Sequence, residues 1–172
     1  GSGGGGKGGG AGGGDGLVRT VDAPLDGAGL RVGIVAGRFN DFVSNRLVSG
    51  AQARLVALGV ADDNIDLAWV AGAFEVPLAA RAMTESGRYD AVVCLGAVIR
   101  GETPHFDYVA GEAAAGIMRT GHDTGVPVVF GALPTDTVEQ AMELADVDRG
   151  NKGADCADAA VEMARLLAAL GR

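Results

Sequence analysis

Ala91-Val92-Val93-Cys94-Leu95 is apolar at every position, and its reading decides the fold. A strand with one wet face alternates apolar and polar residues. A strand with no polar position needs cover on both faces, as a parallel strand has between two helical layers. Working outward, residues 30–35 form a short apolar run ending at Ala36-Gly37, and residues 65–70 and 126–130 repeat the pattern. Between these runs the period changes. Leu47, Ala51, Leu55 and Leu58 recur at three and four residues, which places one apolar stripe on a helix that Gly59 stops. Further helices are predicted over 76–86 and 104–120. Another opens on Asp136 and Glu139 at capping-box spacing and ends near Ala145. The last spans 153–170, with Ala157, Ala160, Val161, Ala164 and Leu167 along one side. Short strands alternating with helices predict a three-layer α/β/α sandwich on a four-stranded parallel sheet, flavodoxin-like in class. Residues 17–23 are extended in character but have no partner strand within the chain.

Residues 1–16 are almost all glycine, and the chain of 172 residues contains 30 glycines in total. Glycine pays the largest backbone entropy on ordering and buries no side chain, so this stretch is expected to be a disordered tail or linker. Residues 17–172 suffice for one domain with a real core. The net charge is −8, and no basic run is present. A nucleic-acid groove needs clustered Lys and Arg, so that partner class is excluded, and the acidic balance reads as a soluble surface. Cys94 and Cys156 form no CxxC pair, and reduced, buried thiols are expected. No run of about twenty apolar residues and no secretory signal is seen, so no membrane association and a cytoplasmic location are expected.

Ligands of open parallel sheets bind beyond the carboxyl ends of the strands. The segments there are 36–41, 71–77, 96–105 and 131–135. In the third, Thr103 suits a helix N-cap and Pro104 the first helical position, so free N–H groups offer an anion site that Gly101 lets a ligand approach. His105 would lie in that first turn. The positive helix end disfavours imidazolium, which leaves either a neutral proton shuttle or a merely exposed histidine. Phe39 suits a ring-stacking platform or plain packing. Glu75 can hydrogen-bond a polyol or simply favour a helix start. Lys152, in the turn Gly150-Asn151-Lys152-Gly153, can reach a ligand or be solvated. Trp69, His122, Asp107 and Glu112 read as structural or surface residues.

Taken together, Gly37-Arg38-Phe39-Asn40, Gly72-Ala73-Phe74-Glu75, the stretch 96–108 (GAVIRGETPHFDY) and Gly150-Asn151-Lys152-Gly153 resemble the lumazine synthase family. The thirteen-residue stretch, at a strand–loop–helix junction, is far more specific than any short pattern. The resemblance runs from Leu17 to Leu170. It implies condensation of 5-amino-6-(D-ribitylamino)uracil with 3,4-dihydroxy-2-butanone 4-phosphate to 6,7-dimethyl-8-ribityllumazine, a step of riboflavin biosynthesis. It further implies that Phe39 stacks on the pyrimidine, that Ala73, Phe74 and Glu75 hold the ribityl side, and that Ala97, Val98 and Ile99 hold the pyrimidine edge. Glu102 and Thr103 would contact the phosphate, and His105 would move protons. Phe130 of a neighbouring subunit would close the site, with Lys152 nearby. No metal and no organic cofactor is implied. The family forms pentamers, and the turn at 150–153 resembles that of members whose pentamers build a 60-subunit shell. Residues 17–23 would then add to a neighbour's sheet.

One position departs from the family. Leu144 stands where the resemblance implies an arginine for the substrate phosphate, and Pro134 and Ala71 also differ from the commoner residues. Arg149 and Arg100 are the candidate substitutes. Three readings follow: an active synthase, a self-assembling cage scaffold with impaired catalysis, and a flavodoxin-like nucleotide or flavin binder. The last leaves the stretch 96–108 unexplained.

Overall fold

A computed structural model describes residues 18–100, 106–146, 148 and 150–171, without the side chains of Ala132 and Leu133. In chain order the elements are β1 (Val32–Gly37), α1 (Asp41–Ala57), a 3₁₀ turn (Asp62–Asn64), β2 (Ile65–Val70) and α2 (Glu75–Glu85). They continue with β3 (Ala91–Ile99), α3 (Phe106–Thr124), β4 (Val128–Thr135), α4 (Val138–Leu144) and α5 (Lys152–Ala169). The sheet is fully parallel in the order β2-β1-β3-β4, with helices on both faces. This is the flavodoxin-like sandwich expected from the strand at Ala91.

The period-two geometry of strands sorts the apolar residues into two cores. Val32, Ile34 and Ala36 of β1, with Val93, Leu95, Ala97 and Ile99 of β3, pack under α1, α4 and α5. Val35, Val92 and Cys94 face the other way, under α2 and α3. Both central strands are buried at every residue, which is why neither carries a polar position.

The strand ends differ from the sequence reading. β3 runs on through Gly96 to Ile99, and β4 starts two residues later than expected but continues to Thr135. Residues 96–99 and 131–135, which read as loop, are therefore paired strand, in the register Leu95↔Gly131 to Ile99↔Thr135. Gly131 reads as punctuation but answers a packing need. A Cβ there would lie 2.6 Å from Cys156 Sγ and 2.8 Å from Leu95 Cδ2. Pro134 is tolerated because β4 is an edge strand, partnered on one flank only. The cap of α4 is also displaced by one residue. Thr137, not Asp136, caps it, its hydroxyl accepting from the Gln140 N–H at 3.1 Å, while Gln140 Oε1 accepts from the Asp136 N–H at 2.9 Å.

Residues 18–26 carry no strand pairing and lie mostly exposed. Beyond them the Gly27 N–H donates to Leu58 O at 2.8 Å, and Arg165 donates to the carbonyls of Asp26 and Ala28, both at 2.7 Å. The expected tail of residues 1–16 lies outside the described residues. Among the described residues no helix is long and apolar enough to cross a membrane.

Cys94 and Cys156 are free and buried. Burial pushes the Cys94 thiol up to about 12 and that of Cys156 up to about 11, from an ordinary 9.0. Because the folded values are raised, the neutral thiols contribute stability that is fully present below pH 9 and lost as pH climbs through 11 to 12. A thiol-reactive chromogen at pH 8 is therefore expected to label neither cysteine in the native protein and both after unfolding. Rapid native labelling would contradict this burial.

Candidate active site

The carboxyl ends of the strands bring four sequence elements together. After β1 the chain turns through Arg38 and Phe39 to Asn40, the N-cap of α1, which adopts a left-handed conformation at φ 54° and ψ 50°. Asparagine tolerates this region better than most residues. Its side chain makes no cap hydrogen bond; instead Nδ2 donates to Ala97 O at 2.9 Å. Asn40 thus ties the turn after β1 to β3.

Phe39 is half-buried and lies on a floor of two glycines. A Cβ at Gly37 would meet Phe39 Cε1 at 1.9 Å, and one at Gly96 would meet its Cζ at 2.8 Å. Absence of both side chains is what lets the ring lie over the ends of β1 and β3. There Phe39, Ala73, Val98, Phe130 and Pro134 wall an apolar pocket closed by α3, with about 10 Å³ of free room.

Of the three β3 residues expected at the site, only Val98 turns its side chain into this pocket. Ala97 and Ile99 point into the opposite core. Their main chain is another matter. β1 pairs with β3 only as far as Ala36↔Leu95, whereas β3 pairs with β4 through Ile99. Alternate residues of a strand direct their amides to opposite flanks. The Arg100 N–H points to β4, bonding Thr135 O at 2.8 Å. Ala97 and Ile99 therefore direct their amides to the flank that β1 leaves uncovered, where Asn40 reaches Ala97 O.

The turn after β2 supplies Ala73, Phe74 and Glu75 at the start of α2. Glu75 folds back on itself: its carboxylate would lie 2.7 Å from a Cβ at Gly72, and its N–H donates to Gly72 O at 3.2 Å. Phe74 is 53 % exposed and meets Tyr108 of α3 with ring centres 6.2 Å apart. Phe130, on β4, is 38 % exposed yet lines the pocket of its own chain.

Ala110 and Pro134 are shared between this pocket and a second, open cleft of about 570 Å³. Leu144, 39 % exposed, lines that cleft with Asp107, Asp136, Glu143 and Arg100. Arg100 Nε donates to Asp136 at 2.7 Å, its terminal nitrogen lies 3.4 Å from Asp107, and its guanidinium stacks 4.5 Å above the Phe106 ring. Sequence reasoning named Arg100 only as a substitute cation and left Asp107 on a solvated face. The signal for their joint placement, β3 outrunning β1, is a long-range pairing.

Lys152 is exposed at the start of α5 and lines neither the pocket nor the cleft. Its neighbour Asn151 is the structural centre of that turn. It is 5 % exposed, with Nδ2 donating to Arg46 O and Ala145 O, both at 2.9 Å, and Oδ1 accepting from the Ala154 N–H at 3.2 Å. Glu102, Thr103, His105 and Arg149 lie outside the described residues. Among the described residues no group of His, Cys, Asp and Glu is placed to hold a metal ion.

The family model for 6,7-dimethyl-8-ribityllumazine synthase matches residues 29–168, a span from the residue before Leu30 into the last turn of α5. The match covers every strand, every helix but the final residue of α5, and both walls of the pocket. This chain therefore belongs to the 6,7-dimethyl-8-ribityllumazine synthase family, transferases of riboflavin biosynthesis.

Proposed function

We propose that this chain condenses 5-amino-6-(D-ribitylamino)uracil with 3,4-dihydroxy-2-butanone 4-phosphate to give 6,7-dimethyl-8-ribityllumazine. The observation that carries this reading is the meeting of Phe39, Ala73 and Val98 at one apolar pocket beside an uncovered flank of β3. A flat heterocycle takes its face from an aromatic ring and its edge from amide donors and acceptors. Phe39 supplies the first, and the main chain at Ala97 and Ile99 supplies the second. Ala73, Phe74 and Glu75 receive the ribityl chain.

In this reading Glu102 and Thr103, which precede α3 in the chain, hold the phosphate of the second substrate. His105 takes and returns protons as the imine forms, phosphate leaves and the ring closes. Phe130 presents ring surface outward as well as into its own pocket, so a neighbouring copy's Phe130 can complete the closure, with Lys152 nearby. Holding two reactants together supplies much of the acceleration, a contribution that reaches roughly 7–11 kcal/mol in well-oriented systems. We assign no metal and no organic cofactor to the reaction. The chain works as a pentamer in the cytoplasm, and twelve pentamers close into a shell. Residues 17–23 add to a neighbour's sheet, and residues 1–16 serve as a linker ahead of the domain.

Leu144 favours a second reading, a cage scaffold of the same family with impaired catalysis. An arginine at 144 would add a charge-assisted contact of about 1.5–3 kcal/mol. Leu144→Arg is accordingly expected to lower KM for butanone phosphate roughly tenfold or more, with little change in KM for the pyrimidine. A steady-state assay of lumazine formation decides. High activity that Leu144→Arg leaves unchanged removes the impaired scaffold. Activity near zero that Leu144→Arg restores removes the fully active synthase.

A further inference from the structure

We infer that Asn40 is a positioning residue for the condensation proposed above, on which this assignment rests. Its side-chain amide holds the Phe39 ring in register with the edge of β3 and does not itself touch the pyrimidine. Among the described residues Asn40 is the one non-glycine with positive φ, at 54°. If the turn needed only this left-handed backbone, glycine would hold it at no steric cost. If α1 needed only a cap, an extended Ser, Thr or Asp would reach the first N–H groups of the helix. The Asn40 side chain makes no such bond. Asn and Asp are the side chains that best tolerate the left-handed region, and of the two only Asn has a donor. That donor is used: Nδ2 donates to Ala97 O at 2.9 Å, 57 residues further along the chain.

The bond sits where backbone pairing gives out. β1 last pairs with β3 at Ala36↔Leu95, and Ala97 is the next β3 residue whose main chain faces that flank. One side-chain bond thus continues the link between the two strands beyond their last backbone pair. Phe39 is adjacent, its ring over Gly96, whose Cβ position lies 2.8 Å from Cζ. The dipeptide Phe39-Asn40 therefore grips β3 at two consecutive residues, by a ring at Gly96 and by an amide at Ala97. On the other side the Asn40 carbonyl accepts from the N–H groups of Val43 and Ser44, at 3.0 and 3.1 Å, which anchors the turn to α1. A stacking face and a hydrogen-bonding edge recognise one flat ring only at a fixed separation and angle, and an error of about 1 Å weakens both. The Asn40 amide joins the turn that carries the face to the strand that carries the edge. A left-handed non-glycine persists where its surroundings over-determine it, commonly beside a ligand site.

The test uses Asn40→Gly, which keeps the left-handed turn and removes the amide, and Asn40→Asp, which keeps the shape and removes the donor. Both are expected to fold, with Tm within about 5 °C of the wild type. Lumazine formation is followed with each substrate varied in turn, and binding of the product 6,7-dimethyl-8-ribityllumazine by calorimetry. Each variant should raise KM for the pyrimidine and Kd for the lumazine about tenfold, with KM for butanone phosphate changed less than about threefold. In a Phe39→Ala background, Asn40→Gly should weaken both by less than about threefold, because the ring it positions is gone. An equal loss in both backgrounds means that Asn40 contacts the pyrimidine directly, and overturns the positioning role. So does a rise shared equally by both KM values, as general loosening of the fold would give. A wild-type KM for the pyrimidine in Asn40→Gly also overturns it and leaves the proposed synthase standing. Wild-type protein that neither forms nor binds the lumazine overturns both. If it binds the lumazine without forming it, the synthase reading falls alone and the Kd shifts decide on Asn40.

Discussion

Asn151→Ala is expected to lower the unfolding free energy by about 3 kcal/mol, shifting Tm down by roughly 6–12 °C for a domain of this size. Three hydrogen bonds disappear at once. The N–H of Ala154 loses its cap, a contribution of about 1 kcal/mol. The carbonyl of Ala145, at the end of α4, has no following helical turn to serve it and is left in a buried place. The carbonyl of Arg46 lies within α1 and loses only an additional partner, so its share is the smallest. The vacated space faces Gly50, whose Cβ position lies 2.2 Å from Asn151 Oδ1, so a void opens between α1 and α5. Asn151→Asp keeps the acceptor for Ala154 but turns an oxygen toward two carbonyls, and it should be no better than alanine. Denaturant titration of the three proteins measures this. A loss below 1 kcal/mol for alanine would mean that the three bonds are not jointly important.

Gly37→Ala is expected to damage the site far more than the fold, with a fall of roughly a hundredfold in kcat/KM for the pyrimidine. Gly37 is not among the positive-φ glycines, so alanine meets no backbone penalty there. What it meets is Phe39. The three atoms nearest to the added Cβ all belong to that ring, at 1.9, 2.6 and 2.6 Å. The ring is driven off its floor into a pocket with about 10 Å³ to spare, so the stacking face is lost and the entrance obstructed. Base–aromatic stacking contributes about 1–3 kcal/mol, and obstruction places the expected loss at the upper end. Overpacking costs the fold roughly 1–3 kcal/mol, less where a half-buried ring can yield. The pair Gly37→Ala/Phe39→Ala separates the effects. If the glycine acts through the ring, the double variant is no worse than Phe39→Ala alone. A wild-type KM for the pyrimidine in Gly37→Ala would sink the account.

The fold was legible because β1 and β3 are buried on both faces, and that burial is written residue by residue in their composition. Strand ends were less legible for the same reason. Gly96, Gly131 and Pro134 carry turn-like residue signals, while the pairing that overrides them joins positions more than thirty residues apart. Phe39, Ala73, Val98 and Phe130 line one pocket, Phe130 within its own chain where the resemblance implied a neighbour's. Asn151 looked like a helix-opening turn and is one. Its larger role stayed hidden because one of its partners, Arg46, is 105 residues away. Arg100 shows the same limit. Charge counting finds an arginine near the site, but only geometry shows that Asp136 and Asp107 already occupy it.

The overhang of β3 beyond β1 bears on how such a site drifts over generations. The side chains of Ala97 and Ile99 are committed to a core, so the groups facing the uncovered flank are main-chain amides. Nineteen of the twenty amino acids present the same N–H and C=O at such a position, and only proline removes the donor. Substitutions that preserve packing therefore leave unaltered the edge that we propose for the heterocycle. The cleft around Leu144 is built of side chains and has no such protection, so its chemistry is open to single replacements while that of the β3 flank is not.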